Sequence, residues 1–322
     1  MRIPPPQNGL VTLIDKRHTE VAGRKPRPHM GASVLGHPCD RWLWLSFRWA
    51  VIEQHEGRIL RLFRRGQNEE ATILADLELA GVKIETTQAH FTFGGHISGS
   101  ADAIVSNVPE APKTRHVAEF KTHSDKSFST LVKDGVQKSK PEHWIQMQVY
   151  MHGAGLDRAL YVAVNKNDDS LHIERIHYDK AAAEAAIARG RRISEADRMP
   201  EPVAGASPGW YQCKFCPAYS FCHREPMTRE VNCRTCAHST ARPDGHWHCA
   251  TWDDVIPVPA QRLGCASHVL HPDLVPWEMM ESSDGVGAVW KIGDKVIANG
   301  DPFADPERKT SLSLIETYGT PF

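Results

Sequence analysis

The 322-residue sequence has no long hydrophobic run. Its best candidate, ALYVAV at 159–164, falls far short of the ~20 apolar residues that a membrane-spanning helix needs. Neither sign of charge is in excess. Lys and Arg number 38 and Asp and Glu 39, a net charge of −1, which excludes a histone-like cationic protein but not a local basic face. The amino terminus, MRIPPPQNGL, has no apolar signal core, so a cytoplasmic protein without a membrane partner is expected. No GxxxxGK[ST] loop occurs, and with it goes a helicase motor of that type. Internal repeats and low-complexity tracts are absent as well.

What is present is enough apolar residue, 41%, to pack an interior, and enough length for two domains or one large core with additions. Eight cysteines stand out. In a reducing compartment they point to metal rather than to disulfides. Cys39 stands alone near the start, whereas the other seven lie between 213 and 265 and include two CxxC pairs. That is metal-ligand spacing.

Residues 1–30, rich in Pro and charge, are expected to be irregular. Residues 39–65 have a helical pattern in which Arg58, Arg61 and Arg65 share a face, either solvated or available to a phosphate backbone. Residues 67–80 form a further helix ended by Gly81. The period then changes, and 82–93, 96–107 and 115–123 alternate or run apolar as strands do. A helix over 140–153, strands over 158–166 and 170–178, and an Ala-rich helix over 179–197 follow. This order predicts an α/β fold with a mixed central sheet flanked by helices. A hairpin over 286–300 and a poorly ordered tail close the chain.

The richest chemistry lies in GHISGSADAIV and HVAEFKTHSD. Glu119 and Lys121 are two apart on a strand and face the same way, with Phe120 facing the core. A hairpin would set Asp102 beside Glu119, and two adjacent carboxylates repel unless a cation lies between them. Oxygen ligands of this kind suit Mg²⁺ or Mn²⁺. With the Lys121 ammonium beside them they have the parts for phosphodiester hydrolysis; a surface hairpin with an ordinary salt bridge is the alternative. On the 140–153 helix, His143, Gln146 and Tyr150 share one face and Trp144, Met147 and Met151 another. Glu70 adds a carboxylate on a helix before the sheet.

GSADAIV, EFK and QMQVY, in this order, resemble the RecB-like branch of the PD-(D/E)XK nucleases, which includes lambda-type exonucleases. The resemblance covers roughly residues 30–225 and implies a restriction-endonuclease-like core. It implies Asp102, Glu119 and the main-chain carbonyl of Phe120 as ligands of Mg²⁺ or Mn²⁺, and Lys121 serving the attacking water. Gln146 and Tyr150 would stand beside the site. Many members carry a His in the first helix; Glu70 takes that place here, as in the lambda-type enzymes, as an outer metal ligand or a structural support. Arg41, Arg58, Arg61, Arg65 and His143 are the expected DNA contacts.

Cys213, Cys216 and Cys222 supply three thiols where a cubane cluster or tetrahedral zinc needs four. GHPCDRWLWL and WYQCKFCPAYSFC resemble the two ends of the iron–sulfur nucleases of this branch, the CRISPR-adaptation exonucleases and AddB-type helicase–nucleases. That resemblance implies a [4Fe–4S] cluster on Cys39, Cys213, Cys216 and Cys222, with zinc as the alternative metal. Cys233, Cys236, Cys249 and Cys265 have the spacing of a zinc-ribbon-like module, with His268 or His238 as a substitute ligand. The expected domains are an irregular segment (1–30), a nuclease domain (31–226), a zinc module (227–275) and a hairpin with a tail (276–322). The function expected is a metal-dependent DNA exonuclease in recombination, end processing or repair, possibly phage-encoded. It would act on a single strand or duplex end with a helicase or recombination partner. A non-catalytic nucleic-acid-binding protein carrying both metals is the alternative.

Overall fold

A computed structural model describes residues 9–23, 26–283 and 287–319. In chain order the first elements are α1 (Gly9–Ala22), β1 (Met30–Gly31), α2 (Asp40–Phe47), α3 (Gly57–Leu79), β2 (Lys83–Thr92), β3 (Ile97–Ser106) and β4 (His116–His123). There follow α4 (Asp125–Ser139), α5 (Pro141–Ala154), β5 (Arg158–Asn165), β6 (Leu171–His177) and α6 (Lys180–Ser194). The remainder carries α7 (Tyr211–Lys214), α8 (Tyr219–His223), β7 (Ser239–Ala241), β8 (Trp247–Cys249), β9 (Asp254–Ile256) and α9 (Val258–Gln261). It ends with β10 (Glu278–Ser283), β11 (Gly287–Ile292), β12 (Lys295–Gly300) and α10 (Ser311–Tyr318). No helix among the described residues is long and apolar enough to cross a membrane.

The chain forms two compact units, neither contiguous in sequence. The first takes Met1–Pro26, Glu53–Thr92 and Gly99–Ala186, and the second Arg27–Ile52, Phe93–Ser98 and Ile187–Phe322. By contacts, the Cys39 segment groups with the carboxyl-terminal part of the chain.

In the first unit the sheet is mixed, as the alternating and continuous apolar runs predict. β3 pairs with β2 and runs antiparallel to β4, β4 runs parallel to β5, and β5 antiparallel to β6. Strand alternation sorts the side chains onto two faces. Ala118, Phe120, Leu160, Val162 and Val164 join Ile73 and Leu77 of α3 in the core. Glu119, Lys121 and His123 face the other way. Three features depart from the expected elements. Residues 9–22 are helical rather than irregular: Arg61 of α3 pairs with Asp15, and the absent side chain of Gly57 lets the Asp15 backbone lie against α3. α3 runs unbroken through Gly66, whose propensity cost of about 1 kcal/mol is small beside the packing of a 23-residue helix. Residues 125–139, without an expected element, form α4.

In the second unit β1 pairs with Ile97 and Ser98. Arg234, 1% exposed, donates to the Phe47 carbonyl at 2.8 Å and the Pro28 carbonyl at 2.6 Å, and lies 3.8 Å over the Trp49 ring. Trp247 is buried and Trp252 exposed. The expected hairpin exists as β11 and β12, joined by β10 in one sheet. The tail expected to be poorly ordered carries α10 instead, anchored by buried Leu314 and Ile315 against Trp290 and Val269.

Candidate active site

The β3–β4 register pairs Ala103 with Ala118, so the next position brings Asp102 alongside Glu119. The amide of Phe120 donates to Asp102 Oδ2 at 2.7 Å. Glu119 is wholly buried. Its Oε1 accepts from Lys121 Nζ and, at 2.7 Å, from Gln146 Nε2, whereas Oε2 has no hydrogen-bond partner among the described residues. Gln146 also lies 3.5 Å from the Tyr150 hydroxyl, so α5 delivers both side chains to the same place one turn apart.

The electrostatics follow from burial. It pushes the Glu119 carboxyl up to about 7, with Lys121 opposing and Asp102 adding to the rise. Burial also raises Asp102. Glu70, half-buried on α3, is raised by burial and by Asp102. Burial pulls Lys121 down, but Glu119 and Asp102 outweigh it, so the side chain stays an ammonium. Tyr150, pushed up to about 12 by burial and by Glu119, stays a phenol at neutral pH.

This donor set fits a hard divalent cation. Three carboxylates crowd one another, and one buried carboxylate oxygen is unsatisfied, which is costly unless a cation or a donor reaches it. As the side chains stand, no three Cys, His, Asp or Glu groups among the described residues meet as ligands on a common point.

Beside the carboxylates lies a buried polar chain that the sequence pattern did not single out. The Tyr161 hydroxyl is 2.9 Å from His123 Nε2 and 2.8 Å from His143 Nδ1. His123 Nδ1 is 3.1 Å from Ser127 Oγ, which accepts from Lys140 Nζ at 2.8 Å. Tyr161 is the register partner of Glu119 on β5. His143, expected to contact DNA, is thus engaged inside the unit. Two of the three expected arginine contacts in this unit are also engaged: Arg61 with Asp15, and Arg65 with the Lys166 carbonyl at 3.1 Å. Arg58 is exposed.

In the second unit Cys39, Cys213, Cys216 and Cys222 line one cavity of about 80 Å³, together with Trp42, Trp210 and Tyr219. Cys39, remote in sequence, is thereby brought to the other three. Burial and the neighbouring sulfurs push the Cys216 thiol up to about 11. Arg41 hydrogen-bonds Cys222 and donates to the Pro200 carbonyl at 3.0 Å, so its guanidinium serves the thiol pocket. The soft donor set and mostly apolar lining suit a metal cluster. Of the substitute zinc ligands, His268 is committed to Ser311 Oγ at 2.8 Å and the Asn232 carbonyl at 3.1 Å, and His238 is buried.

A family model described as the PD-(D/E)XK nuclease superfamily matches residues 22–223. No curated protein matches the chain. Among solved structures, the crystal structure of SSO0001 aligns at 15% identity and a TM-score of 0.41, over 67% of this chain and 97% of that one. An alkaline exonuclease from Laribacter hongkongensis aligns at 17% identity and a TM-score of 0.40, over 55% of this chain and 90% of that one. A phage-related exonuclease from Haemophilus somnus aligns at 16% identity and a TM-score of 0.28, over 40% of this chain and 69% of that one.

Proposed function

The chain belongs to the PD-(D/E)XK nuclease superfamily, and on that footing we propose that it is a Mg²⁺- or Mn²⁺-dependent DNA exonuclease of the RecB-like, iron–sulfur branch. The observation that carries the reading is the convergence of Asp102, Lys121, Gln146 and Tyr150 on the buried Glu119 carboxylate, one oxygen of which is unsatisfied. Asp102 and Glu119 would hold the divalent ion, with the Phe120 carbonyl and Glu70 as further oxygen donors. When bound, that ion neutralises phosphate charge and lowers the pKa of water.

The chain's own groups do the rest. Gln146 fixes the Glu119 carboxylate through its amide. Lys121, kept cationic by two carboxylates, donates hydrogen bonds that orient a water and offset charge on the phosphate in the transition state. Tyr150, protonated at neutral pH, offers a hydroxyl to a phosphate oxygen. Arg58, exposed on α3, is a backbone contact whose contribution should fall with salt. The substrate is a single strand or duplex end delivered by a helicase or recombination partner, in recombination, end processing or repair.

Four thiols around one cavity support a [4Fe–4S] cluster on Cys39, Cys213, Cys216 and Cys222 that ties distant segments of the second unit together.

The test uses full-length protein purified anaerobically, with end-labelled linear and closed circular DNA and Mg²⁺ or Mn²⁺. Glu119→Gln and Lys121→Ala should retain DNA binding and lose roughly 10²–10⁴-fold in cutting rate. Equal cutting by wild type and both variants overturns the enzymatic assignment. Cutting of closed circles overturns the exonuclease assignment. Iron at about four per chain, lost in Cys216→Ser, is expected from the cluster.

A further inference from the structure

We propose that Cys233, Cys236, Cys249 and Cys265 bind one zinc ion that ties a turn, a strand and a loop of the second unit together. The proposal is independent of the nuclease reading.

The first two thiols come from a rigid turn. Asn232 caps it, accepting from the Arg234 amide at 3.0 Å, while the Asn232 amide donates back to Thr235 Oγ1 at 3.1 Å. The Cys236 amide closes the turn onto the Cys233 carbonyl at 3.2 Å, which keeps both ends of the CxxC together.

The third thiol arrives on a strand. Cys249 ends β8 directly opposite Ser239 of β7. The Ser239 amide donates to the Cys236 carbonyl at 3.3 Å, and the Ala250 amide to the His238 carbonyl at 2.8 Å, so the hairpin is laced to the turn on both sides of Cys249.

The fourth follows Gly264, which has φ +68. A Cβ there would lie 3.3 Å from the Val231 carbonyl oxygen and 3.5 Å from Asn232 Cα, so the loop carrying Cys265 is seated on the residues that lead into Cys233. Cys249 and Cys265 both stand near enough to Cys233 to act on its charge, as Cys265 does on Cys236.

Amide donors are aimed at the sulfurs as well. Cys236 Sγ accepts from the Val269 amide at 3.5 Å and from the His238 amide, and Cys233 Sγ from the Gly264 amide. Cys233 Sγ in turn faces the Ala260 carbonyl at 3.5 Å, so main-chain groups of three segments hold the two sulfurs in place.

The small sheet has a further need for a staple. β7, β8 and β9 are three residues each. Strands so short bury too little apolar area to hold themselves. His268 is committed to Ser311 and Asn232, and His248 pairs with Asp253 at 3.2 Å, so neither of these imidazoles competes for the metal. Four thiolates suit a tetrahedral structural zinc. As the side chains stand, no three of them meet on one point, so metal binding is expected to draw the sulfurs inward.

The test is metal content by mass spectrometry on full-length protein, with native mass as a second readout. Wild type should carry about one zinc per chain, as a four-thiolate site requires. Cys249→Ser should lose most of it, whereas Cys39→Ser should retain it. Should Cys249→Ser prove insoluble, wild type is titrated with a thiol-blocking mercurial in the presence of a zinc indicator dye, and zinc should be released as these four thiols are consumed. Wild type without zinc, zinc retained in Cys249→Ser, or a native mass showing disulfides among these cysteines overturns the proposal.

Discussion

A single hydroxyl serves two buried imidazoles. Tyr161 can donate one proton, to His123 or to His143, so the other ring must donate to the hydroxyl oxygen. The ring that accepts needs an unprotonated nitrogen, and burial holds both imidazoles below their ordinary range, His123 at about 4 and His143 at about 3, with Lys121 and Lys140 pulling the same way. Removing the hydroxyl in Tyr161→Phe leaves a ring N–H and a ring nitrogen without their partner in the interior. A loss of about 1–3 kcal/mol is expected, measured as a lower urea midpoint at unchanged slope. An unchanged midpoint would show that the hydroxyl is not shared in this way. At this scale the sequence was legible where one strand or one helix carries the pattern. Glu119 and Lys121 share a face through a period of two, and Gln146 and Tyr150 through one helical turn. His123 follows the same period and could have been read from it. Tyr161 could not, because its place beside Glu119 depends on the register of a parallel pair joined through two helices.

Helix α4 breaks at Gly135, which has φ 72 and ψ 169, and the Val136 amide is taken up there by Glu174 Oε2 at 2.8 Å. A Cβ on Gly135 would stand 3.4 Å from both Glu174 carboxylate oxygens, in a backbone region that L-residues seldom adopt. Gly135→Ala should therefore destabilise by about 1–3 kcal/mol, through strain and a displaced Glu174 cap. Amide hydrogen exchange should locate the loss in α4 and the start of α5. An exchange pattern unchanged from wild type in both helices would remove the argument. Elements with a clear period, β2 to β6 and α5, fall within two residues of their expected bounds. α4 was missed because the glycine interrupts its apolar spacing of Phe128, Leu131 and Val136, although Ser124 before Asp125 is a fair start signal. α1 shows a related limit. Its Asp15 is tied to Arg61 and Gly57 of α3, and the prolines ahead of it obscure the pattern.

Across the whole chain the two units draw on interleaved segments, and that arrangement was legible only through the cysteines: Cys39 reaches the thiols after 213 because both belong to one unit. Composition alone points to a linear division. The chain-wide property that follows is its response to acid. Burial lowers His96, His123 and His268 to about 4, and His143 and His271 to about 3. An imidazole whose affinity for protons drops on folding contributes stability that is complete above its ordinary pKa of 6.5 and is lost as pH falls through the folded value. Glu119 works in the opposite sense. Held up at about 7 by burial, it contributes stability below its ordinary 4.5 that is lost as pH rises towards 7. Burial raises Asp102, Glu70 and Glu142 in the same sense as Glu119, and lowers His37 and His116 like the other five, so four carboxyls stand against seven imidazoles and unfolding near pH 5 should take up several protons net, each worth roughly 1.4 kcal/mol per pH unit. With a total stability on the order of 5–15 kcal/mol, such a slope exhausts the fold within a few pH units. Urea midpoints followed by circular dichroism should stay level from pH 8 to 7, then fall steeply from 6.5 to 5. Replacing His96 with Gln should flatten that fall by about one proton's share of the slope. A midpoint that holds steady down to pH 5 would mean that these imidazoles are protonated inside the native protein, and the neutral Tyr161 chain beside the carboxylates would have to be redrawn.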